Sequence, residues 1–137
     1  SENPYYYSEA GIIKCNDGTN KKVVQIAPSR GALVDPTDTS KGTYLGSDHI
    51  NEEELSDVTE YANYAARDCD AIVSVVFPKD GCDISLGCFM DCDNLSTVVM
   101  PKERKNVNVK DFAFAYITEP MRVRFDNDEI GLSQNAL

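Results

Sequence analysis

The sequence predicts an α/β repeat domain: a short solenoid carrying a small parallel sheet, preceded by a β-hairpin and a helix. Three observations predict it. Cysteines, apolar residues and prolines recur 23 residues apart between Tyr61 and Pro101. Two β-prone runs flank an Asp17-Gly18 turn near the start of the chain. Between them, Asn51 and Glu54 make a helix-start pair ahead of apolar residues at helical spacing.

The hairpin comes first. Gly11-Ile12-Ile13-Lys14-Cys15 and Lys22-Val23-Val24-Gln25-Ile26 are β-prone and are separated by Asn16-Asp17-Gly18-Thr19-Asn20, a cluster of turn formers. Pro28 ends the second strand because it has no N–H to donate. Residues Ser1 to Ser8 read as a lead-in or an edge strand. Ser29 to Ser47, rich in Gly, Pro, Asp, Thr and Ser, reads as a surface loop of unusual length. In the helix that follows, Asn51 caps, Glu54 completes a capping box, and Leu55, Val58, Tyr61 or Ala62, and Ala65 share one face. The acidic run from Asp48 to Asp57 suits a solvated helix start better than a cation site.

The repeat carries most of the fold reading. Tyr61 to Pro78 aligns with Ile84 to Pro101, so that Cys69 matches Cys92, Asp70 matches Asp93, Ile72 matches Leu95, Val75 matches Val98 and Pro78 matches Pro101. A third, degenerate unit begins at Val109: Ala113-Phe114 matches Cys88-Phe89 after a two-residue insertion, and Val123 and Phe125 match Val98 and Met100. It lacks the Cys and the closing Pro, as expected of a unit that caps a stack. The organisation expected is therefore 1–57 for the hairpin, loop and helix start, 58–126 for the repeats, and 127–137 for a C-terminal tail.

Ile84, Cys88, Phe89, Cys92, Leu95, Val98 and Pro101 resemble the pattern Ile-x-x-x-Ala-Phe-x-x-Cys-x-x-Leu-x-x-Val-x-x-Pro of BspA-like leucine-rich repeats, with Cys88 in place of the Ala. The first unit departs from it at Ala66, where the family places Phe. The resemblance covers about residues 58 to 126. It implies a leucine-rich-repeat solenoid of class α/β, a helical turn around Phe89 closing each unit, and a bacterial secreted or cell-surface protein in which such repeats serve adhesion. A period of 23 falls within the range of those repeats.

Strand alternation points Ser74, Val76, Thr97, Val99, Arg122 and Arg124 outward on the expected sheet. These six are the candidate binding face, set against the plainer reading of an ordinary β-prone surface. Ile72, Val75, Phe77, Leu95, Val98 and Met100 point inward.

Composition narrows the function classes. The 137 residues carry a formal net charge of −10, the wrong sign for nucleic-acid phosphates or anionic membranes. No apolar run approaches the roughly 18 residues of a membrane span. The five cysteines (Cys15, Cys69, Cys82, Cys88 and Cys92) are too few and too scattered for a disulfide framework and read as buried thiols. Cys82, Cys88 and Cys92 lack zinc-knuckle spacing. His49, the one histidine, stands at the head of the acidic stretch, far from any thiol it would need to activate. Asp126-Asn127-Asp128-Glu129-Ile130-Gly131 matches an EF-hand loop at positions one, three and six only, with Leu137 where the bidentate Glu should be. No phosphate-cradling glycine motif is present. The expectation is a noncatalytic module without metal or cofactor that binds a protein partner; its alternatives are a structural spacer and, further off, a cysteine-dependent hydrolase.

Overall fold

The computed structural model describes residues 5–80, 83–101, 107–117, 120–124, 130–132 and 136. Strands β1 (Tyr5–Glu9), β2 (Ile12–Asn16) and β3 (Lys21–Ile26) form an antiparallel meander. The hairpin turn closes as its residue types dictate. Asn16 Oδ1 accepts from the Gly18 N–H, and Asp17 Oδ1 accepts from the N–H groups of Thr19 and Asn20.

Short strands follow: β4 (His49–Ile50), β5 (Glu60–Tyr61), β6 (Ser74–Val76), β7 (Thr97–Val99), β8 (Val107–Val109), β9 (Arg122–Arg124) and β10 (Ile130–Leu132). They assemble into three small sheets, ordered β1-β2-β3-β5, β4-β6-β7-β9 and β10-β8. Among the described residues every strand pairing outside the meander is parallel, and one isolated bridge in the loop, Leu33 with Thr43, is antiparallel. The register joins Val75 to Val98 and Val98 to Val123, which are the residues matched by the 23-residue alignment and by its two-residue insertion.

The expected α/β leucine-rich-repeat solenoid is corrected. The chain is mostly small mixed and parallel sheets, about 31% strand and 6% helix, and the parallel pairing is what remains of the α/β reading. The one α-helix among the described residues, α1 (Glu52–Leu55), is a single turn. Its capping box forms as expected, Asn51 and Glu54 each bonding the other's backbone N–H. The helix was expected to run on through Val58, Tyr61 and Ala65, and it does not. Thr59 N–H instead bonds Lys21 O and Ala62 N–H bonds Val23 O, which draws the segment alongside β3 as β5. Leu55, Val58, Tyr61 and Ala65 are all buried, so their spacing reflected burial and not helix.

The helical turn expected around Phe89 is absent for a local reason. Tyr64 and Asp68, Gly87 and Asp91, and Phe112 and Tyr116 all have φ between 58° and 62°. Each pair brackets one turn, and a left-handed residue ends a right-handed helix. Within each turn the N–H groups reach across to the next unit: Tyr64, Ala66 and Asp68 donate to Leu86, Cys88 and Met90 at 2.9, 2.7 and 3.0 Å. Gly87, Phe89 and Asp91 repeat this toward Asp111, Ala113 and Ala115.

The core runs between these ladders. Phe77 packs edge-on against both Tyr61 and Phe89 (centroids 5.7 and 5.9 Å), and Phe89 stacks on Phe114 at 5.7 Å. Ala66 occupies the position of Phe89 in its own unit, and Phe77 is the ring that packs against Phe89 from that side. Among the described residues no helix is long and apolar enough to cross a membrane.

The long loop read from 29 to 47 is anchored by Arg30, which is 1% exposed. Its guanidinium makes five hydrogen bonds: Nε to Ser47 O at 2.8 Å, Nη1 to Ala10 O at 3.1 Å and Glu54 Oε1 at 2.6 Å, and Nη2 to His49 O and Glu54 Oε2, both at 3.1 Å. All five donors of the planar fork are thereby used. Gly31, at φ +83°, lets the chain lie against β4, since a Cβ there would sit 2.7 Å from Asp48 Cα. Lys14, equally buried, bonds Glu54 O at 2.9 Å and Asp57 Oδ1 at 3.0 Å.

Burial would raise the pKa of Glu54, but hydrogen bonds from Arg30 and from the Asn51 backbone, with the charges of Arg30 and Lys14, outweigh it and hold the carboxyl below its ordinary range. Asp57 behaves alike: burial raises it, and the hydrogen bonds from Lys14 and Lys21 bring it down further. A carboxyl whose folded pKa is depressed contributes stability above its unfolded pKa and loses it as pH falls through the folded one. We expect the thermal midpoint to drop as pH falls below about 4, with a shallower drop in Glu54→Gln. A slope unchanged by that substitution would place the acid sensitivity elsewhere. Arg30→Met should cost about 3 kcal/mol in urea unfolding, and Arg30→Lys should recover only part, because three donors cannot serve five bonds.

Candidate functional face

The parallel register of β4, β6, β7 and β9 builds one outward face from the residues read as candidates. Ser74, Thr97 and Arg122 form one row and Val76, Val99 and Arg124 a second. Between the rows, Ile50, Val75 and Val98 turn inward and are buried. Ser74, Val76, Thr97 and Val99 are half-buried, and Arg122 and Arg124 are exposed. Six residues spread over about fifty positions of chain thus meet on three adjacent strands.

The sequence reading left His49 off this face, at the head of the acidic stretch. The structure pairs it with Ser74 at the start of the first row. His49 Nδ1 shares a hydrogen bond with Ser74 Oγ, and Nε2 lies 3.4 Å from Asp48 Oδ1. A signal for this was present: Ile50 precedes Val75 by 25 residues, the spacing that also separates Val98 from Val123. Asp48, His49 and Ser74 have the residue types of a nucleophile relay, but His49 is exposed on the outward side of the sheet. Preorganised charge stabilisation depends on donors aimed into a water-excluded site.

The thiols lie elsewhere. Cys69, Cys88 and Cys92 are buried and Cys15 is half-buried. Cys92 Sγ donates to Ala66 O at 3.0 Å and Cys69 Sγ to Ile26 O at 3.4 Å. The hydrogen bond with the neighbouring Cys69 thiol, and then burial, push the Cys92 thiol well above the ordinary range. Cys82 and the Asp126–Glu129 stretch considered for calcium lie outside the described residues. Among the described residues no three His, Cys, Asp or Glu side chains are grouped to hold a metal ion.

Comparison with protein-family models, with curated proteins and with solved structures finds no match to this chain.

Thiol reactivity follows from burial and protonation. Under native conditions iodoacetamide should label Cys15 well before Cys69, Cys88 or Cys92, as read by peptide mass spectrometry. All four should label in denaturant. Rapid native labelling of Cys92 would contradict its burial.

Proposed function

We propose that the chain is a noncatalytic protein-interaction or adhesion module whose partner lies across the outward face of β4, β6, β7 and β9. One observation carries this reading. Three adjacent strands in parallel register, β6, β7 and β9, display two rows of side chains in which half-buried valines stand beside arginines. Val76 and Val99 offer apolar area, Arg122 and Arg124 offer directed donors, and arginine is among the residue types that concentrate binding energy at interfaces. The resemblance of Ile84 to Pro101 to BspA-like repeats supports a secreted or cell-surface setting for such contacts. The charge of −10 disfavours nucleic acid as the partner.

The test uses beads coated with the chain and offered to immobilised extracellular-matrix proteins and to epithelial cell monolayers. Wild-type beads should adhere, and Val76→Asp with Arg124→Glu should cut adhesion by at least about fivefold, in keeping with loss of one interface anchor. The thermal midpoint of the variant should stay within a few degrees, because both side chains project away from the core. Adhesion equal to wild type would remove this face from consideration.

A further inference from the structure

Cys69 and Cys92 hold the same position in successive units, 23 residues apart. The ladder between the turns fixes their spacing. Asp68 N–H bonds Met90 O at 3.0 Å, which in a parallel ladder sets Asp68 beside Asp91 and Cys69 beside Cys92. Neighbours of this kind lie about 4.8 Å apart, within the roughly 4.4–6.8 Å between Cα atoms that a disulfide spans. Side-chain direction agrees. Cys69 Sγ donates to Ile26 O at 3.4 Å and Cys92 Sγ to Ala66 O at 3.0 Å. Each thiol thus points back along the stack, and that of Cys92 reaches into the unit that carries Cys69. There the two thiols share a hydrogen bond. Both are free and fully buried.

The other described thiols are placed differently. Cys15 lies on β2, half-buried, across from Tyr6 and Lys22. Cys88 stands in the same turn as Cys92, and the ladder bonds of Ala66 with Cys88 and of Phe89 with Ala113 put Ala65 and Ala113 on either side of it. Only Cys69 and Cys92 face each other across successive units among the described residues. Joining them gives up two weak S–H bonds to carbonyls and gains a covalent tie.

We propose that Cys69 and Cys92 are a structural disulfide site, closed in an oxidising compartment before the two units stack and sealed by the stacking. The oxidant is a small-molecule disulfide such as oxidised glutathione. One cysteine thiolate attacks it, forming a mixed disulfide and expelling one glutathione thiolate. The second cysteine thiolate then attacks the protein sulfur, closing the bond and expelling the other glutathione. Two electrons pass from the cysteines to the glutathione sulfurs, which also take up the two protons.

Timing follows from burial. Only a thiolate attacks, and in the stacked chain the hydrogen bond with Cys69 and burial keep Cys92 protonated. The bond therefore forms before the units close, and afterwards the same burial shields it from reductants. In place it ties together the units that carry β6 and β7, the two central strands of their sheet. Its occurrence in the cell rests on the secreted or cell-surface setting proposed above. The pairing itself does not, so its failure in purified protein would leave the reading of the sheet face standing.

The test is refolding of the whole reduced chain from urea in a buffer of reduced and oxidised glutathione. Free thiols are then blocked and the unreduced tryptic peptides read by mass spectrometry; cleavage after Lys79 separates the two cysteines. A Cys69–Cys92 linkage is expected in most chains, retained in Cys88→Ala and lost in Cys69→Ala and in Cys92→Ala. The oxidised chain should melt at least about 5 °C above the reduced one, because the bond restricts the unfolded chain. In dithiothreitol the folded oxidised chain should be reduced at least about tenfold more slowly than the same chain in urea. Cys69 and Cys92 unlinked after refolding, linkage of Cys92 to Cys88, or an oxidised chain that melts no higher than the reduced one overturns the proposal.

Discussion

A residue held at φ near +60° stops a right-handed helix, and in three turns of this chain such residues stand four positions apart. The short backbone between them satisfies only alternate N–H groups on its own carbonyls, such as Arg67 to Tyr64 and Met90 to Gly87, and leaves those of Tyr64, Ala66, Asp68, Gly87, Phe89 and Asp91. Those groups must then find acceptors elsewhere, since a buried unpaired N–H costs about as much as the bond it forgoes. They find them on the next unit, at 2.7–3.0 Å from Tyr64 through Asp91. Stacking is therefore imposed by hydrogen bonding as well as by apolar burial. The same bonds set the register, and the register puts Phe89 against Phe114 and Val75 beside Val98.

Such a stack has ends, and an end exposes the groups that the next unit would have satisfied. Toward the N-terminus the chain meets this with charge. Arg30 reaches carbonyls of Ala10, Ser47 and His49 while gripping Glu54, so one side chain ties the meander, the loop, β4 and α1 together. Burying a guanidinium is costly unless every donor is used, and here every donor is. The pair also explains why a loop of unusual length holds a defined path: its two ends, Arg30 and Ser47, bond to each other.

Much of the repeat was legible because it rests on inward side chains, whose identity burial constrains. Cys69 with Cys92 and Val75 with Val98 could be aligned from sequence, and the structure pairs or buries them as aligned. The turns were not legible as non-helical, because their conformation depends on φ, and Tyr64, Phe112 and Tyr116 are residue types that argue against a left-handed backbone. Resemblance to a repeat family supplied helices that these residues do not form. Leu55, Val58, Tyr61 and Ala65 misled in a related way, since a spacing of three or four marks one buried side whatever the backbone does. Arg30 was invisible because an arginine in a Gly- and Ser-rich stretch reads as surface, and its burial depends on acceptors 17 to 24 residues away on both sides in sequence. His49 was missed because attention to the acidic run obscured the 25-residue spacing from Ile50 to Val75.

The sheet face and the turn edge differ in how they relate to stability. On the sheet face, Val76, Val99 and Thr97 are residues that strands favour for their own sake, so their presence is compatible with structure alone. On the turn edge, Tyr64, Phe112 and Tyr116 act against local backbone preference where Gly87, Asp68 and Asp91 show the cheaper solution at equivalent positions. The same left-handed conformation is held by Leu45, at φ 61°, in the loop, so the strain is not confined to the aromatic positions. The cost is met by the hydrogen bonds between units, at 2.7–3.0 Å from Tyr64 through Asp91, which hold each turn in the left-handed conformation whatever residue stands there.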